Sequence, residues 1–174
     1  MRFLLSLPIL GALVAASAPQ AASIRNIDFA NFVFTLDPCD VSPEQVCTVR
    51  LVDGERLPSS DQAQRDPWIR DQLWVHLDFV HYGDVTGDGQ DDAVVRFGWN
   101  AGGTGQFSQL LVYGLVSGEP AILATFPTGD RAQGGYLDAC IRDHVLIIVR
   151  ERGTAAACAD YLENTSYSWH DDHF

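Results

Sequence analysis

The 174-residue chain contains no lysine, only the initiator methionine, and no apolar run of membrane-spanning length. Its formal net charge is −12, and every cation that balances its carboxylates is an arginine or a histidine. An acidic surface of this kind repels phosphate backbones and anionic headgroups, which disfavours nucleic-acid binding and peripheral membrane attachment. The longest apolar stretch, residues 3–16, is roughly 14 residues against the ~20 needed to cross a bilayer, so no transmembrane segment is expected in the mature chain. No Gly-x-Ser-x-Gly and no Cys-x-x-Cys occurs, which removes the commonest signatures of an activated serine and of a thiol metal or redox site.

What is present at the start reads as an export leader: Arg2, the apolar run, then small residues. Residues 1–22 are expected to be removed, by a cut after Ala18 or Ala22, leaving 23–174 as one domain in the periplasm or outside the cell. No cysteine lies near either cut, so no lipid anchor is expected. Four cysteines in an exported chain favour a disulfide framework. Three connectivities exist for Cys39, Cys47, Cys140 and Cys158, and the short loop between Cys39 and Cys47 favours pairing those two, and Cys140 with Cys158.

The mature sequence patterns as mainly β: a single antiparallel domain, whether sandwich, open barrel or twisted sheet, with at most one short helix. Residues 32–36 and 47–52 are β-rich, and the second run closes on the turn dipeptide Asp53-Gly54. Val75, Leu77 and Phe79 alternate with His76, Asp78 and Val80, a period of two. Segments 93–99, 110–116 and 121–126 are further strands, the last two joined through Ser117-Gly118. Residues 145–149 are apolar throughout, as in a strand covered on both faces, 165–169 form a terminal strand, and 154–162 is the one expected helix. Residues 57–72, with two prolines, read as a long loop.

The sharpest chemical feature is residues 84–92. Asp84, Thr86, Asp88 and Asp92 set oxygen-bearing side chains at positions 1, 3, 5 and 9 of a tight loop. Gly89 permits the turn, and Gln90 offers a carbonyl at position 7. Alternate oxygens wrapping a hard cation indicate Ca²⁺, which tolerates irregular shells that Mg²⁺ does not. The competing reading is a plain Asp/Gly turn. No EF-hand helix follows, because 93–99 is strand-like.

Residues 83–92 resemble the Asp-x-Asn-Gly-Asp-Gly-x-x-Asp loops of FG-GAP and VCBS repeats, and the resemblance implies calcium held between adjacent strands by Asp84, Thr86, Asp88, Gln90 and Asp92. One copy is present, so no propeller is implied. A longer similarity comprises Gly83-Asp84-Val85-Thr86-Gly87-Asp88-Gly89, Asp91-Asp92-Ala93-Val94-Val95, Gly102-Gly103-Thr104-Gly105-Gln106-Phe107, Gly129-Asp130-Arg131, a cysteine near Asp160, and Tyr167-x-Trp169. That set is similar to small exported bacterial proteins of the LppP/LprE lipoprotein type, and it implies a non-catalytic envelope protein.

Elsewhere Arg131 is a binding candidate, though pairing with one of the many carboxylates is the simpler role. His170-Asp171-Asp172-His173 reads as a solvated tail, because strand alternation would send the two histidines to opposite faces. His76, His81 and His144 fall on strands or strand edges and read as structural. The resulting expectation is an exported, non-enzymatic binding or structural protein with a calcium loop and a protein or cell-envelope partner. An inhibitor of a lysozyme-type cell-wall hydrolase is the alternative, and a metal-dependent hydrolase stands third.

Overall fold

A computed structural model describes residues 22–36, 47–56, 73–100, 104–130, 133–153 and 160–174. The leader, the 57–72 loop, Arg131, Cys39 and Cys158 lie outside the described residues. The described residues form ten strands: β1 (Val33–Leu36), β2 (Cys47–Arg50), β3 (Glu55–Arg56), β4 (Trp74–Gly83), β5 (Asp92–Asn100), β6 (Phe107–Val116), β7 (Glu119–Asp130), β8 (Gln133–Arg142), β9 (Val145–Arg152) and β10 (Tyr161–Ser168). Two 3-10 turns, Ile24–Asn26 and Phe29–Asn31, precede them, so the domain is mainly β as its patterning implies.

Among the described strands all pairing is antiparallel. A five-stranded sheet runs β3-β4-β5-β6-β7, a three-stranded sheet β10-β9-β8, and β1 pairs with β2. The central sheet is covered on both faces. On one, Val75, Val95, Phe97, Trp99, Leu111 and Tyr113 pack against Ile24, Phe29, Phe34, Val49 and Leu51 of the N-terminal segment. On the other, Val94, Leu110, Val112 and Phe126 meet Ala139, Leu146 and Ile148 of the three-stranded sheet. This is a sandwich with an additional N-terminal layer.

The doubly covered segments are therefore in β5 and β6, where consecutive residues are buried, and not 145–149. In β9 only Leu146 and Ile148 are buried; Val145, Ile147 and Val149 are partly exposed on the outer face. The uniform apolarity of that run reflects β propensity as much as burial.

A bulge corrects the phase of β4. Register shifts between Leu77 and Phe79, so Asp78 is the extra residue. One inserted residue exchanges the faces of everything after it. Val75, Leu77, Val80 and Tyr82 thus share the first core, while Phe79 joins the second.

Two-residue turns with positive φ at both central positions recur: Asp53-Gly54, Ser117-Gly118, Asp143-His144 and Asp171-Asp172. Such turns match the twist of antiparallel strands. The first two are the dipeptides expected from sequence, although the strand following Asp53-Gly54 has only two residues. Two segments depart from expectation. The end of the proposed helix, Tyr161 and Leu162, is strand, opposite Arg152 and Glu151 of β9; residues 154–159 lie outside the description. A nine-residue helix carries a large nucleation cost, whereas an open sheet edge offers ladder bonds at once. The His170–His173 segment, expected as a solvated tail, is exposed but closes into a hairpin, with His170 N–H donating to His173 C=O at 2.8 Å and the reverse bond at 3.0 Å. It returns Phe174 onto Phe126 and Tyr167, with centroids 5.6 and 6.4 Å apart.

Candidate metal centre

The 84–92 loop joins β4 to β5, and its two terminal aspartates organise it from inside. Asp92, the first residue of β5, is 4% exposed. Its Oδ2 accepts hydrogen bonds from Val85 N–H at 2.9 Å, Thr86 N–H at 3.1 Å and the Thr86 hydroxyl at 3.2 Å. Asp84 does the same for the loop tip: Oδ1 accepts from Gly87 N–H at 2.6 Å and Asp88 N–H at 3.2 Å, and Oδ2 from Gly89 N–H at 2.9 Å. These bonds draw the chain into consecutive reversals that place Gly87 and Gly89 at φ +76° and +84°, where a side chain would be strained. Val85, 1% exposed, anchors the loop in the core between the sheets.

Burial disfavours the charged form of Asp92 and raises its pKa, and the nearby Asp88 charge acts the same way. The hydrogen bonds from Val85 and Thr86 oppose them. Gly114 of β6 makes room for this carboxylate, since a Cβ there would stand 3.0 Å from Asp92 Oδ1 and 2.8 Å from Leu123 Cδ1.

Thr86 sits between the two anchors, its hydroxyl 3.5 Å from Asp84 Oδ1 and 3.2 Å from Asp92 Oδ2. Asp84, Thr86 and Asp92 are therefore brought together as the spacing implied. Asp88 is exposed and engaged with Gln90, accepting from its N–H at 2.8 Å and its Nε2 at 3.3 Å. Among the described residues no group of three or more histidine, cysteine or acidic side chains is gathered as a metal site.

Two neighbours of the loop have no signature in its own sequence. His144, at the tip of the β8–β9 hairpin, brings Nδ1 to 2.8 Å from the Asp84 carbonyl and 3.3 Å from Asp84 Oδ2. Ile141 carries that hairpin across the bare Cα of Gly83. Asp91 pairs with Arg25 from the N-terminal layer, and Arg25 stacks over Tyr82 at 4.8 Å. The contact of His144 with Asp84 spans 60 residues, so no local pattern in the sequence marked it.

His76 and His81 have structural partners. His76 Nε2 lies 3.1 Å from Asp78, whose other oxygen pairs with Arg96 at 2.8 Å, and its ring stacks on Trp74. His81 faces Asp138 at 3.6 Å and stacks on Phe79. Cys140 is exposed and forms no disulfide with a described cysteine; its expected partner Cys158, like Cys39, is outside the described residues. Among the described residues no helix is long and apolar enough to cross a membrane. No family model matches the chain, and no curated protein or solved structure is similar to it.

Proposed function

We propose that this protein is an exported, non-catalytic binding or structural domain whose 84–92 loop takes a calcium ion and thereby locks the β4–β5 connection. The observation that carries the reading is Asp92: a carboxylate 4% exposed, hydrogen-bonded at one oxygen, with its ionised form disfavoured by burial and by Asp88. Asp84 adds a second carboxylate across Thr86, and among the described side chains the one basic group against this pair is the exposed His144. A divalent cation would relieve that imbalance.

The donor set supports calcium over a transition metal, because Asp84, Thr86, Asp88, the Gln90 carbonyl and Asp92 offer oxygen alone. Asp88 has only its Gln90 contacts to give up in turning toward the ion. The resemblance to FG-GAP and VCBS loops points the same way. Export and two disulfides complete the reading, supported by the leader pattern and the four cysteines. Isothermal titration of the mature chain with CaCl₂ tests the loop: saturable binding of one ion, absent in Asp88→Ala, is expected. Equal heats in the two proteins would overturn it.

A further inference from the structure

The C-terminal hairpin reverses the geometry that alternation along a strand would give to His170 and His173. The two residues exchange both backbone hydrogen bonds, so they are a directly opposed cross-strand pair. Side chains of such a pair leave the same face, with Cα atoms typically ~5.5 Å apart. Both histidines are exposed. His173 Nδ1 lies 3.0 Å from the Asp171 carbonyl, which can only accept. As the donor in that contact Nδ1 is engaged, which makes Nε2 of this exposed ring the nitrogen open to a metal. A histidine that donates its other ring N–H to a backbone carbonyl has the arrangement usual for a metal ligand.

We propose that His170 and His173 form a surface site for an imidazole-seeking divalent transition metal, with Cu²⁺ preferred over Zn²⁺. Two imidazoles supply the protein ligands and water the rest. The hairpin is pre-organised: Asp171 and Asp172 hold φ +46° and +65°, and Phe174, 5.0 Å from Trp169 and packed on Phe126, pins the returning strand. The Asp171 and Asp172 carboxylates at the turn and the −12 net charge favour cation approach. This site is separate from the 84–92 loop in both residues and ligand chemistry.

Titrating the full mature chain with Cu²⁺ and recording electron paramagnetic resonance spectra tests the proposal. One Cu²⁺ per chain with nitrogen coordination is expected, and His170→Ala and His173→Ala should each weaken binding about tenfold or more. Asp88→Ala should bind as wild type does, which separates this site from the calcium loop. Replacing Asp171-Asp172 by Asn-Gly keeps the turn type and should retain binding. Asp171→Pro cannot adopt positive φ and should lose the site with both histidines still present. Either histidine variant binding like wild type, the Asn-Gly variant failing to bind, or Asp171→Pro binding unchanged would overturn the proposal.

Discussion

Replacing Asp92 by alanine and by asparagine separates its two roles, anchor and charge. Alanine removes the acceptor for Val85 N–H, Thr86 N–H and the Thr86 hydroxyl at once. Val85 is 1% exposed, so its N–H has little access to water as a substitute. An orphaned buried donor costs about 1–3 kcal/mol, and hydrogen bonds to a charged group contribute about 1.5–3 kcal/mol each. Losing the charge returns part of that, because burial disfavours ionised Asp92. A net loss of roughly 3 kcal/mol follows, or about 6–12 °C in Tm for a domain of this size. Asparagine keeps a carbonyl oxygen facing the same donors while removing the charge, so in chelator Asp92→Asn should stay within about 1 kcal/mol of wild type. Urea melts of all three proteins in chelator measure this. If alanine and asparagine destabilise equally, the loop is not organised by the carboxylate's hydrogen bonds, and the reasoning fails.

The same residue sets a pH dependence. Its folded pKa is raised, so the stability it contributes is present below the unfolded carboxylate value and is lost as pH rises through the folded value. In chelator, the gain of Asp92→Asn over wild type should therefore appear toward neutral pH and fade in acid, as urea melts across the carboxylate range would show. Gly114→Ala pushes a methyl group against Asp92 Oδ1 and the movable end of Leu123. It should cost about 1–3 kcal/mol as overpacking, read from its urea midpoint. Intact mass after periplasmic expression should lack the leader and four hydrogens; a mass with every thiol free would remove the disulfide proposal.

The parts of this structure that depend on neighbours in sequence were the legible ones. Alternation located β4, and Asp53-Gly54 and Ser117-Gly118 marked turns because each dipeptide carries its own backbone preference. The Asp84, Thr86 and Asp92 cluster was legible for the same reason, being set within nine residues. The Asp78 bulge was not, since a bulge shows only in the partner strand's register. Strand β8 was hidden because Gly134, Gly135 and Asp138 interrupt its period, and pairing with β9 overrides their propensity. His144 over Asp84 and Phe174 packed against Phe126 are long-range results of packing that no local pattern encodes.

Thermal melts of wild type and Asp88→Ala, each with calcium and with chelator, bear most directly on the proposal that calcium locks the 84–92 loop. An extracellular-type site has a dissociation constant of roughly 10⁻⁴–10⁻³ M. About 10 mM calcium is then about 10–100 times that constant and stabilises the fold by about 1.4–2.7 kcal/mol, or roughly 3–10 °C in Tm. Wild type should climb by that amount, magnesium should do less, and Asp88→Ala should not respond. Identical melting of the two proteins in calcium and in chelator would show that residues 84–92 are a turn and nothing more.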